Sequence, residues 1–334
     1  MVRRLSSLAP PAHRAAEAVR TGHWRRVAAI AAEAIVGETS QVVGASDITH
    51  VLHWWHLRVF ALWKLRLFSQ AHTEFTNVWN VLDTTLIQPE ARPLHTTALV
   101  PYALHVVRAQ DLYVHGQKRA GVTALWHLLS VCQSHFDEGD ASKVWHAREV
   151  RVRLILASAL VDMEAFDAAA TVVDPLADPL VDRELEPKEA MLALVIARIY
   201  LTMGCVARAE ALVAAAAAAP LPLRQTYDTL VRLVRNPHTS PVQQAYTEDA
   251  DQALANAAAV DAFYRGDLDT GTAYLEHFLR ARPTEFATAH GLAGNLITMH
   301  TMGVRGGTVD RQRIVRHVVQ AAGDDPACID SRMG

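Results

Sequence analysis

Six stretches of this sequence place small and large residues in the same order over windows of about 34 residues, and that recurrence limits the fold more than any single motif does. The clearest window is 252–285. Ala258 and Ala259 put small side chains on a first helix, Gly266 makes a turn, Leu268, Gly271 and Leu275 mark a second helix, and Pro283 ends it. Tyr264-Arg265-Gly266-Asp267-Leu268 therefore reads as helix end, tight turn and next helix, since glycine takes a left-handed conformation without strain. Window 190–223 repeats the order with Ala197, Tyr200, Gly204, Val206, Ala209 and Val213. Window 150–183 gives Leu156, Ala157, Leu160, Phe166, Ala169 and Val173, with Glu164 in place of the turn glycine. Window 102–135 gives Ala109, Leu112, Gly116, Gly121, Leu125 and Leu128. Window 52–85 gives Trp55, Leu62, Phe68, Ala71 and Phe75, and window 8–41 gives Ala18, Gly22, Trp24, Val27 and Ala31.

Small residues where two antiparallel helices cross, and large ones filling the groove between pairs, are the pattern of tetratricopeptide units. The predicted fold is all-α: a right-handed superhelix, or α-solenoid, of about seven such hairpins. Residues 1–7 read as a disordered basic N-terminus and 8–285 as the array. Insertions fall at 86–99, 136–142 and 223–251. The last is long enough for a degenerate unit over 224–251, with Arg224 to Arg235 as one helix, Asn236-Pro237 as its stop and Pro241 starting another. Residues 286–334 read as a C-terminal cap and tail, with helices over 287–302 and 309–321 separated by Gly303, Gly306 and Gly307. Arg311, Arg313 and Arg316 give the cap a wet side.

Composition agrees with close-packed helices: the chain is 51% hydrophobic, much of it alanine, with only 7% aromatic residues. A net charge of −3 supplies no field to concentrate nucleic acid or anionic membrane, so neither is an expected partner. Arg3, Arg4, Arg14, Arg20, Arg25 and Arg26 against the single Glu17 match the charge pattern of a mitochondrial transit peptide, but that stretch runs straight into the first unit. Residues 2–14 lack the apolar core of a secretory signal. The most apolar stretch, 191–222, carries Arg198, Arg208 and Glu210, which reads as a packed helix pair and not a membrane span. Cys132, Cys205 and Cys328 are far apart and in no CxxC spacing, which fits a reducing cytosol without disulfide framework or zinc site.

His50, His53 and His56 share a helix face, but without an HExxH glutamate or a nearby cysteine they read as solvated or core histidines. Asp137-Glu138-Gly139-Asp140 lacks the spacing of a calcium loop. No phosphate-binding glycine loop, nucleophile elbow or paired acidic motif occurs, so no catalytic residue, cofactor, metal or small-molecule substrate is expected and the chain reads as a non-enzyme. Trp54, Trp55, Trp63 and Trp79 cluster in the second unit, either as groove filling or, for Trp54 and Trp55, as anchors for a partner protein. A clamp for a peptide carboxylate needs lysine and asparagine on successive first helices, where this register has His56 and Phe60, Val106 and Gln110, and Leu194 and Arg198.

Several segments resemble, in order, the tetratricopeptide region of subunit 12 of the TRAPP complex. Leu65-Arg66-Leu67-Phe68-Ser69-Gln70-Ala71 with Glu74-Phe75 is similar to an early helix pair of that family. Leu99-Val100-Pro101-Tyr102 through Ala109 and Gly116 to Val131-Cys132 resembles its next unit. Asn256-Ala257-Ala258-Ala259-Val260 and Asn295-Leu296-Ile297-Thr298-Met299 resemble its last two. The chain departs from that family in lacking a long polar N-terminal extension and in the eroded unit at 223–251. The resemblance implies a non-catalytic scaffold in a vesicle-tethering and nucleotide-exchange assembly, contacting other TRAPP subunits and through them a Rab-family GTPase. It further implies action in traffic from endoplasmic reticulum to Golgi and in autophagy, in the cytoplasm and peripherally on Golgi membranes, without direct membrane insertion. Asn295, Leu296, Thr298, Met299 and His300 join Trp54 and Trp55 as the expected partner contacts.

Overall fold

Six residues outside the ordinary backbone regions organise the chain. Gly22, Arg66, Gly116, Glu164, Gly204 and Gly266 all have left-handed φ angles, between 58° and 87°. Each is the fifteenth residue counted from the start of the windows at 8, 52, 102, 150, 190 and 252. The same two backbone hydrogen bonds close all six turns. The left-handed residue's N–H donates to the carbonyl three residues back, as Gly116 to Tyr113 and Glu164 to Val161. The following N–H donates five residues back, as Gln117 to Leu112 and Ala165 to Leu160. This is the Schellman closure, which satisfies carbonyls that a helix end otherwise leaves bare.

A computed structural model describes residues 10–39, 45–86, 100–135, 142–181, 183–235, 252–288, 291–303 and 308–321. Among them are sixteen helices and no strand. In chain order they are α1 (Pro11–Arg20), α2 (Trp24–Thr39), α3 (Ala45–Lys64), α4 (Phe68–Leu86), α5 (Tyr102–Val114), α6 (Lys118–Ser134), α7 (Ser142–Asp162) and α8 (Phe166–Val181). They continue as α9 (Pro187–Thr202), α10 (Val206–Ala215), α11 (Leu221–Arg235), α12 (Gln252–Tyr264), α13 (Leu268–Ala281), α14 (Pro283–Thr288), α15 (Leu292–Met302) and α16 (Thr308–Ala321). The turns above join α1 to α2, α3 to α4, α5 to α6, α7 to α8, α9 to α10 and α12 to α13. Most packing is between helices adjacent in the chain or one place further on, as α3 with α4 and α5, or α9 with α10 and α11.

The crossing points explain the small residues. The eighth place of each window holds Ala15, Val59, Ala109, Ala157, Ala197 or Ala259, all buried. The twentieth holds Val27, Ala71, Gly121, Ala169, Ala209 or Gly271, also buried. A Cβ on Gly121 would lie 2.6 Å from the carbonyl oxygen of Ala109, and one on Gly271 would lie 3.0 Å from that of Ala259. In both hairpins the twentieth residue thus meets the backbone of the eighth, and at Gly121, where the approach is closest, a larger side chain would prise the helices apart. Four places further on, Ala31, Phe75, Leu125, Val173, Val213 and Leu275 are buried in turn.

The chain divides into two units, residues 1–121 with 319–334, and residues 122–318. In the first, Leu52, Val59, Leu62, Phe75, Trp79, Leu104 and Val107 form one core cluster, and Ala15, Ala18, Val27, Ala28, Ile30 and Ala61 form another. In the second, Leu156, Leu194, Ile196, Tyr200, Leu212, Leu275 and Leu296 are among the most deeply buried side chains.

The expected cap helix over 287–302 is interrupted. The chain leaves α13 at Arg282, starts the short α14 with Pro283 at its first position, and resumes only at Leu292 after Gly291, whose φ is 86°. Proline suits a helix start, and the left-handed glycine cannot continue one. In the eroded region a helix runs over Leu221–Arg235. The stop at 236–237, the helix expected from Pro241, and the tails 1–7 and 322–334 lie outside the described residues. Among those residues no helix is long and apolar enough to cross a membrane.

Candidate functional site

The first unit holds an open groove of about 780 Å³ between α1 and α3, with Glu38 of α2 at its edge. Pro11, Ala15, Ala16 and Val19 of α1 form one side, and His50, His53, Trp54 and Leu57 of α3 form another. Helix spacing brings them together: Ala15 and Val19 are four apart, as are His50 and Trp54, so each set shares one face of its helix. Trp54 is half-buried, its ring packed on the cluster around Ala15 and Ala18. Its indole N–H donates to Glu38 Oε1 of α2 at 2.7 Å, which fixes the ring and leaves its edge in the groove. Arg20 and Glu38 add one charge of each sign at the rim. Such a surface suits an apolar partner side chain bordered by polar contacts. Trp55 is also half-buried but does not line this groove.

Glu38, His50 and His53 contribute to this surface, although the spacing that put His50 and His53 on one helix face pointed to no partner contact. Their signal was the tryptophan beside them. His50 and His53 are exposed, and His53 Nδ1 lies 2.7 Å from the Thr49 carbonyl of its own helix.

Beneath the groove, Arg58 of α3 ties three helices together. Its Nε and Nη2 donate to the two carboxylate oxygens of Glu74 on α4, at 2.5 and 2.7 Å, and its Nη1 donates to the Ala28 carbonyl of α2 at 3.0 Å. Burial pushes the Glu74 carboxyl up, but the hydrogen bonds from Arg58 and Gln70 outweigh it and leave it below its ordinary value.

In the second unit the segment 295–300 lies on α15 and divides by face. Leu296 is fully buried and Met299 nearly so, its sulfur close against Gly271 of α13. Three residues apart, the two form the apolar seam of α15, so their side chains pack this chain's own core and do not face a partner. Asn295 is half-buried and its side-chain amide donates to Asn256 Oδ1 at 2.7 Å. His300 Nε2 lies 3.2 Å from Glu276 Oε1, a carboxylate that also meets Arg280 and Arg313. Thr298 alone of the five is exposed, its hydroxyl donating to the Gly294 carbonyl.

Of the clamp positions, Val106 and Leu194 are buried and bring no polar group to a surface, while Phe60 and Arg198 are exposed. No family model matches the chain, and no curated protein matches it.

Proposed function

We propose that this chain is a non-catalytic scaffold subunit of a TRAPP-type vesicle-tethering and Rab nucleotide-exchange assembly, its helical hairpins stacked as a tetratricopeptide solenoid. The observation that carries the reading is the six-fold recurrence of one hairpin, with the same left-handed turn and the same small crossing residues. Repetition of this kind multiplies surface without building an enclosed polar cavity, and surface is what a scaffold supplies. The groove around Trp54 is the contact point the geometry favours, because a half-buried tryptophan held by a hydrogen bond binds without paying to order itself. The TRAPP assignment itself draws on the resemblance of segments 65–75, 99–132, 256–260 and 295–299 to that family. Action in transport to the Golgi and in autophagy, at the cytoplasmic face of Golgi membranes, follows from that assignment.

An adaptor gripping apolar peptide motifs is the second reading, and the groove's apolar lining favours it over a carboxylate clamp. Affinity purification of the tagged full chain from its source cell, followed by mass spectrometry, separates the two. The expected outcome is recovery of TRAPP subunits, reduced by Trp54→Ala. Recovery of Hsp70 or Hsp90 instead would establish the adaptor, and mitochondrial import machinery would revive the transit-peptide reading. Nucleotide exchange on a Rab GTPase by this chain alone would contradict a non-catalytic role.

A further inference from the structure

Asp111 sits in the last turn of α5 with its side chain only 5% exposed, and among the described residues no ion pair to it from a lysine or arginine is seen. Two imidazoles face it instead. His115, one turn on at the C-cap of α5, places Nδ1 3.3 Å from Asp111 Oδ1. His72, in the second turn of α4, places Nδ1 2.7 Å from Asp111 Oδ2. The two rings stack with centroids 4.0 Å apart, and one donor atom from each of the three residues lies within 4.8 Å of the others. Among the described residues this is the only such set of three. Asp111 Oδ1 is buried without a hydrogen-bond partner, since the neighbouring His115 nitrogen is directed at the Asp111 carbonyl, 2.9 Å away.

The hairpin over 252–285 holds the one other aspartate at this place. Asp261 stands tenth in its window as Asp111 does in its own, is equally buried, and pairs through Oδ2 with Arg265 four residues on, its Oδ1 being as bare as that of Asp111. There a permanent cation compensates the buried carboxylate, which otherwise carries a heavy desolvation cost. At Asp111 the equivalent residue is His115, and His72 adds a second imidazole from the preceding hairpin. Two neutral imidazoles bring no charge, and two imidazolium rings stacked at 4.0 Å would repel.

We propose that His72, Asp111 and His115 form a binding site for a divalent transition-metal ion of borderline softness, with zinc as the best fit. Two imidazole nitrogens and one carboxylate oxygen are a common three-ligand zinc set, and the fourth position is left to water. Zinc bonds of about 2.0 to 2.2 Å put tetrahedral ligand atoms about 3.3 Å apart, so small side-chain rotations suffice. His115 can turn from its backbone carbonyl without stranding it, because the His115 N–H also donates there at 3.0 Å. His72 is 40% exposed, which gives the ion a route in and its water a place to sit. The bound ion would neutralise Asp111 and cross-link the start of α4 to the end of α5, joining two successive hairpins.

Isothermal titration of zinc chloride into the untagged, chelator-stripped full chain tests this. The expected result is one equivalent bound at micromolar affinity or better, with the chain's melting temperature raised by zinc. His72→Ala and His115→Ala each weaken binding by about 100-fold or more while far-ultraviolet dichroism stays unchanged, and His50→Ala leaves binding intact. Cobalt in place of zinc gives a visible absorption band in the parent chain that both variants lose. Zinc affinity unaffected by these two substitutions would overturn the proposal. So would a chain that ignores zinc and gains stability only on acidification, since a proton would then hold the cluster.

Discussion

Gly121 and Gly271 occupy the twentieth place of their windows, and the atoms around them differ enough to separate two outcomes. On Gly121 a Cβ would meet the Ala109 carbonyl at 2.6 Å and the Tyr113 nitrogen at 2.9 Å, both backbone atoms that cannot swing away. Gly121→Ala should destabilise the chain by about 1 to 3 kcal/mol in denaturant titration, because overpacking exceeds the roughly 1 kcal/mol that alanine gains over glycine in a helix. On Gly271 the contacts are the Ala259 carbonyl at 3.0 Å and the mobile Met299 sulfur at 3.3 Å, so Gly271→Ala should be close to neutral in the same assay. Glu74 sets an acid limit on the Arg58 junction. Its folded value is depressed, so the stabilisation is complete above the unfolded value near 4.5 and is lost as pH falls through the lower folded one. Melting temperature followed downward from neutral pH should drop across that window, and Glu74→Gln should flatten the drop. Neither Asp111 nor His72 was legible as a site, because histidines three apart, as at 50, 53 and 56, draw attention to one helix while this cluster joins residues 39 apart. The pair Asp111 and His115, four apart on one helix, was the half that spacing alone could have shown.

At the scale of the hairpin, five of the six turns were readable in the sequence: four carry glycine, and Glu164 stands where a glycine was expected. Arg66 was not, because arginine carries no turn signature and its left-handed φ of 59° is imposed by the helices on either side. Non-glycine residues pay about 1 to 2 kcal/mol for that conformation, and glycine returns part of this as extra freedom in the unfolded chain. Arg66→Gly and Glu164→Gly should therefore stabilise by up to about 1 kcal/mol, and Gly266→Ala should destabilise by about 1 kcal/mol, all by chemical denaturation. The crossing alanines were equally legible, since a small residue recurring at a fixed place is a property of the chain itself. The interruption of the helix expected over 287–302 was missed for local reasons: Gly291, whose left-handed φ of 86° breaks it, was read as an ordinary helix position, and Pro283, read only as ending a helix, also begins one.

Across the whole chain, legibility followed distance along the sequence. Helices pack mainly on their sequence neighbours, so periodicity within a window predicts most of what each helix touches. It does not predict which residues of a helix turn inward when a later helix arrives. Leu296 and Met299 read as candidate contacts and proved to be core, while Trp54 came to line a groove with Glu38, sixteen residues away, that no pattern paired with it. The six matching turns have a further effect. Each hairpin carries its own clasp, made only from bonds between residues at most five apart, and owes nothing to the far end of the chain. The turn of any one hairpin can therefore close before a distant part of the chain has found its place, which keeps this step of folding local.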